Sequence, residues 1–161
     1  MIFLTKKKDI FNKTGKKINI VAVSAKNKNK KRSFKINKNI FYSNPLEIIK
    51  KKKIDILFEA IGLSDGISKK IVEIAIKNKI HVITPNKALI SKHGDYLSRL
   101  AEKNKVNLEF EASVGGGIPI LRTIKEGLAT NKISKVYGIL NVHLIIYFLK
   151  WRLLRIVSMM Y

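Results

Sequence analysis

The chain has 161 residues, 46% of them hydrophobic, a formal net charge of +22 and no cysteine. That length and apolar content allow a real core in one domain or part of two, and the missing cysteines exclude a disulfide framework or a thiolate metal site. The charge admits a phosphate-backbone partner, but arginine occurs only at positions 32, 99, 122, 152 and 155, and the crowding of Lys, Asn and Ile fits A/T-rich codons better than a selected nucleic-acid surface, which favours arginine and stacking aromatics.

In chain order, Met1–Thr14 has helical spacing at Ile2, Phe3, Ile10 and Phe11 and stops at Thr14-Gly15. Met1-Ile2-Phe3-Leu4 is too short for the apolar region of a secretory signal, so a cytoplasmic address is expected. Ile18–Val23 (INIVAV) has the β-branched run of a buried strand. The basic loop from Ser24 to Arg32 follows. In a dinucleotide-binding fold a basic loop at this strand end accommodates the 2′-phosphate of NADP, where an acidic residue favours NAD. Ser24, Lys26 and Arg32 are therefore candidate phosphate contacts, with a solvated lysine-rich loop as the equal alternative.

Pro45 opens a helix (PLEIIKKKK), and Ile54–Ala60 (IDILFEA) is the next strand. It ends at Ile61-Gly62, where backbone can approach a ligand closely. Ser64 or Asp65 is positioned to cap a helix over Gly66–Lys77, whose apolar stripe includes Ile67, Ile71, Ile74 and Ala75. Ile80–Ile83 is a buried strand stopped by Thr84-Pro85-Asn86. Helical spacing then runs from Lys87 to about Asn104, broken near Gly94. Val106–Phe110 is another strand. Gly115–Gly117 turns into a helix with an apolar face of Ile118, Leu121, Ile124 and Leu128, and Val136–Leu140 is the last strand. Strands alternating with helices predict a parallel α/β sheet, with ligands beyond the carboxyl ends of the strands. The loops Thr84–Lys87 and Glu111–Pro119 both lie at that end.

Two of these segments carry a specific resemblance. HVITPNKALISKHGDYLSRLAEKNKVNLEFEASVGGGIPILRTIKEGL followed by NKISKVYGILN closely resembles homoserine dehydrogenase, and INIVAVSAKNKNKKR and IDILFEAIGLSDGI look like the same family's cofactor domain. The resemblance covers roughly residues 5 to 141, and TPNKAL and EASVGGGIPI at this separation are not generic features of dinucleotide-binding folds. It implies an NAD(P)H-dependent oxidoreductase that interconverts L-aspartate 4-semialdehyde and L-homoserine in threonine and methionine biosynthesis. Lys87 matches the family's lysine beside nicotinamide and substrate. Asn86, Ile61, Gly62, Ser24 and Arg32 are the other expected cofactor contacts. Glu111, Val114, Gly116 and Ile118 match a sodium site of one carboxylate and three backbone carbonyls. The structural alternative for Gly115–Gly117 is a turn that lets strand and helix pack closely, and a phosphate cradle is disfavoured because the G-x-G-x-x-G spacing is absent.

The expected fold is α/β: an incomplete Rossmann-like NAD(P)-binding domain whose parallel sheet lacks its first strand and Gly-rich loop. Residues 1–134 form the partial cofactor domain and 135–141 the start of the substrate domain. No acid/base lysine is expected within the chain, so the isolated chain is expected to be inactive. The expected partner is a small-molecule substrate, with neither nucleic acid nor membrane. The family's homo-oligomers imply a dimerising domain outside this stretch. Residues 142–161 (VHLIIYFLKWRLLRIVSMMY) depart from the family. Back-translation with a single G restored after the Asn141 codon allows Gly-Thr-Ser-Asn-Tyr-Ile-Phe-Ser-Lys-Met, which continues the family motif, so 142–161 is expected to be an out-of-frame tail. The alternative is a basic amphipathic helix at a membrane surface, and for the whole chain a basic module binding nucleic acid or anionic membrane.

Overall fold

A computed structural model describes residues 6–27, 32 and 36–135. By contacts the chain divides into two units, residues 1–53 and 54–161.

In the first unit, helix α1 spans Lys7–Thr14, with Asp9 in its first turn and Lys13 in its last, each on the side its charge favours along the helix dipole. Gly15 caps it in the left-handed conformation, its N–H donating to the Phe11 carbonyl at 2.8 Å. The expected strand over Ile18–Val23 is realised only at its end. Strand β1 is Val23–Ser24, and it pairs in parallel with β2, Phe41–Tyr42, through Val23↔Phe41 and Ser24↔Tyr42. A ladder needs a partner along its length, and β2 offers two residues. Sequence reasoning missed β2 altogether: two residues present no period to detect. It follows a 3₁₀ turn, Lys38–Ile40, where the Asn37 side chain accepts the Asn39 N–H at 3.0 Å. Helix α2, Leu46–Lys51, begins after Pro45, with the Asn44 side-chain Oδ1 accepting the Leu46 N–H at 3.0 Å and Ile48 turned into the interior.

The second unit has a three-stranded parallel sheet in the order β3 (Ile56–Phe58), β4 (His81–Ile83), β5 (Leu108–Glu109). Leu57, Val82 and Leu108 stand in register across it, as do Phe58, Ile83 and Glu109. Parallel neighbours require crossover connections, and helices α3 (Ile67–Lys77) and α4 (Lys87–Asn104) supply them. The two helices pack on each other, α3 against β4 and α4 against β5, so both cover one face of the sheet. Into that layer α3 sends Ile71, Val72, Ala75 and Ile76, and α4 sends Leu89, Ile90, Leu97 and Ala101, all buried. Each such large aliphatic side chain contributes about 1.5–3 kcal/mol on leaving water. Strands begin and end close to where the apolar runs predict. Helix α4, however, runs through Gly94 without a break. Gly94 is buried along it.

Two expectations near the helix ends are corrected. Neither Ser64 nor Asp65 caps α3; Gly66 occupies that position with no side-chain cap. The Asp65 carboxylate instead takes the Lys92 ammonium from α4, a charged donor that binds it more strongly than a neutral N–H would, and meets His93 beside it. Residues Glu111–Val114, expected as loop, form a single helical turn, α5. The helix expected after the glycines is also short: α6 is Ile120–Arg122, continued as a π turn over Thr123–Gly127, and Ile118 and Leu128 are exposed. The expected strand Val136–Leu140 and the segment 142–161 lie outside the described residues.

Candidate cofactor site

Two loops leave the carboxyl ends of neighbouring strands, residues 59–66 after β3 and 84–86 after β4. What joins them is a side chain that pattern reasoning passed over. Glu59 is 2% exposed. Its Oε2 accepts the Thr84 hydroxyl at 2.6 Å. Its Oε1 accepts the Ile61 N–H at 2.7 Å and the Asn86 amide at 3.3 Å. Thr84, 1% exposed, in turn accepts the Asn86 N–H at 3.0 Å. Every neighbour donates, which suits an acceptor-only carboxylate. A lone acid at the end of IDILFEA is indistinguishable by period from a solvent-facing strand residue. The available signal was that Glu59 and Thr84 directly follow apolar runs at adjacent strand ends, with Asn86 two residues on.

Asn86 is the N-cap of α4: its Oδ1 accepts the Leu89 N–H at 3.1 Å, and its Nδ2 donates to the Leu63 carbonyl at 2.9 Å as well as to Glu59. Its side chain is thus engaged by the protein on every side, and what it gives a pocket is position. Lys87, the first residue of α4, is exposed at the mouth of this loop. Its ammonium is free to reach outward from a helix N-terminus that already favours anions. On the facing loop Ile61 is exposed and Gly62 sits at φ 89°, a left-handed conformation that any side chain would strain. A Cβ added there would meet nothing within 4 Å. So the structure brings Ile61, Gly62, Asn86 and Lys87 together around Glu59.

Ser24 and Arg32 belong to the first unit. Ser24 closes β1, half-buried. The Arg32 guanidinium donates through Nη2 to the Asn27 carbonyl at 2.7 Å and lies 5.9 Å from the centre of the Phe41 ring, whose residue pairs with Val23 beside Ser24.

Beyond β5, the Glu111 carboxylate accepts the N–H groups of Leu121 (2.8 Å) and Arg122 (2.9 Å), capping α6. The chain between turns at Gly117, φ 82°, again a conformation for glycine. The Ile118 carbonyl accepts the Ile120 N–H at 2.9 Å. Carboxylate and turn carbonyls are hard oxygen donors, the chemistry an alkali cation takes, and Glu111 retains lone pairs beyond the two N–H bonds. The residues therefore fit the implied sodium in kind.

On the outer side of the first loop, Asp65 accepts Lys92 Nζ and Ser64 Oγ at 2.7 Å each and meets His93 Nε2 at 2.8 Å. The Lys92 ammonium foremost, then Ser64 and His93, hold its carboxyl well below the usual carboxylate range.

Comparison with known proteins decides what these loops belong to. The family model described as homoserine dehydrogenase, NAD binding domain, matches residues 4–111. This chain belongs to the homoserine dehydrogenase family. Homoserine dehydrogenase of Neisseria gonorrhoeae is 43% identical over 101 residues, covering 63% of this chain and 23% of that enzyme. That of Bacillus subtilis is 36% identical over 132 residues, covering 82% and 30%. Among solved structures, homoserine dehydrogenase from Thiobacillus denitrificans superposes with a TM-score of 0.69 at 30% identity, over 83% of this chain and 30% of that one. The Staphylococcus aureus enzyme at pH 6.0 gives 0.64 at 38% identity, over 74% and 30%. The matched stretch is thus under a third of the length of these homoserine dehydrogenases. It carries an NAD-binding domain of Rossmann-like α/β type. A basic module for nucleic acid or membrane gains no support from these matches. No helix among the described residues is long and apolar enough to cross a membrane.

Proposed function

We propose that this chain is cofactor-domain sequence of a homoserine dehydrogenase, an enzyme of NAD(P)H-dependent interconversion of L-aspartate 4-semialdehyde and L-homoserine. The observation that carries the reading is the family match over residues 4–111 joined to the paired loops 59–63 and 84–87, held at adjacent strand ends by Glu59. When bound, the cofactor supplies the hydride. Lys87 extends its ammonium from the α4 N-terminus toward nicotinamide and substrate, where a cation polarises a carbonyl. Ile61 and the open backbone at Gly62 offer a surface for the nicotinamide side. Ser24 and Arg32 hold the 2′-phosphate of NADP, so NADPH is the favoured form over NADH. Glu111 with the carbonyls of Val114, Gly116 and Ile118 holds sodium, which fixes the turn after β5. The substrate is a small molecule, and the setting is cytoplasmic.

Saturation-transfer NMR on the chain with NADPH and NADH tests this, because it detects weak binding. NADPH is expected to show transfer at its nicotinamide protons. Lys87→Ala should weaken those signals, and Arg32→Ala should remove the advantage of NADPH over NADH. Absence of any transfer from the unaltered chain to either cofactor sinks the reading.

A further inference from the structure

We propose that Glu59 is a positioning residue that locks the β3–α3 and β4–α4 loops into one body; its bearing on the cofactor rests on the function proposed above. A carboxylate 2% exposed is expensive to bury, and replacing such groups by apolar ones is often neutral or stabilising. Among the described residues no lysine or arginine forms an ion pair with it. What surrounds it is a set of directed donors from both loops: the Ile61 N–H from its own loop, and the Thr84 hydroxyl and Asn86 amide from the other. Asn86 is also the cap that aims the first turn of α4, and hence Lys87. The favourable potential of an 18-residue helix N-terminus adds to the donors. The charge therefore buys geometry rather than stability. It sets Ile61–Gly62 and Asn86–Lys87 at a fixed spacing across the strand ends.

The direction of the hydrogens makes this testable. Thr84 donates to Glu59 and accepts from Asn86. In Glu59→Gln one side-chain oxygen still serves Ile61, but an amide N–H now faces Thr84, which must reverse. Backbone amide exchange on the ligand-free chain reads the result. Thr84→Val, made on the second loop, is expected to speed exchange at the Ile61 amide on the first loop about fivefold, the size of a direct coupling near 1 kcal/mol. In a Glu59→Gln background the same substitution should change it less than about twofold. Amides of Val72 and Leu97 in the helical core report that the fold is kept. Should Glu59→Gln not fold, Glu59→Asp, which withdraws the carboxyl by one methylene, takes its place with the same expected loss of coupling. An Ile61 amide indifferent to Thr84→Val, or an equal response in both backgrounds, overturns the proposal. Saturation transfer from Glu59→Gln to NADPH should fall with Lys87 intact. An unchanged signal would overturn the link to the cofactor, whereas no signal even from the unaltered chain would fail the cofactor reading and leave the coupling to be decided by exchange.

Discussion

Among the described residues, buried polar side chains divide into those with hydrogen-bond partners and one without. Glu59, Thr84, Asn86 and Ser113 are all buried and bonded. Ser68 is fully buried in the first turns of α3, and its Oγ has no partner among the described residues. A hydroxyl removed from water without a bond costs on the order of 1–3 kcal/mol, and alanine is the better helix former. Ser68→Ala is therefore expected to stabilise the chain by about 1 kcal/mol. Chemical denaturation should show the midpoint rise at unchanged slope. A fall in the midpoint would mean that the hydroxyl has a role that geometry does not reveal. The contrast also explains what was legible at this scale. Lys87 and Gly62 are site candidates from the sequence alone because a motif or a turn marks them. Glu59 was not, because burial of an acid depends on donors that arrive from 25 and 27 residues further along the chain.

At the level of elements, the sequence predicted the β3–α3–β4–α4–β5 succession because each run is long and its period unambiguous. It failed where an element is short or its end depends on a distant partner. Strand β2 has two residues, and α5 is one helical turn fixed partly by Ser113, whose hydroxyl and N–H both donate to the Phe110 carbonyl. The sequence offers Ser64 or Asp65 as a local cap of α3, yet Asp65 joins the loop before α3 to Lys92 and His93 of α4. This tie has a pH signature. The folded-state pKa of Asp65 is lowered, chiefly by Lys92. Its contribution is thus fully present above the unfolded value of about 3.9 and is lost as pH falls below that toward the folded one. Thermal midpoints followed from about pH 6 down to pH 2.5 should drop along an acid limb. Asp65→Asn should lower the midpoint at neutral pH and flatten that limb. Both curves falling in parallel would assign the acid limb to other carboxylates.

For the molecule as a whole, the sheet of the second unit has unequal faces. Leu57, Val82 and Leu108 look toward α3 and α4, and Val82 is wholly buried. On the alternate positions Ile56 is 58% exposed and Phe58 54% exposed, with Ile61 and Leu63 exposed just beyond the strand. Side chains alternate along a strand, so these residues belong to the face that the two helices leave uncovered. Parallel strands are normally covered on both faces, whereas the run Ile56-Leu57-Phe58 of β3 has one face exposed. Exposed, it combines β-branched and aromatic residues on a strand, the composition that favours association between chains. Ile56→Thr keeps β propensity while removing apolar surface from that face. Changes at exposed positions ordinarily stay within about 0.5 kcal/mol, so the midpoint of unfolding should hardly move. Static light scattering during concentration should show association setting in at a markedly higher protein concentration than for the unaltered chain. If the substitution instead lowers stability by more than about 1 kcal/mol, the Ile56 side chain is supporting the fold in solution, and association must be traced to the other exposed apolar residues, Ile118 and Ile120 after the glycine turn.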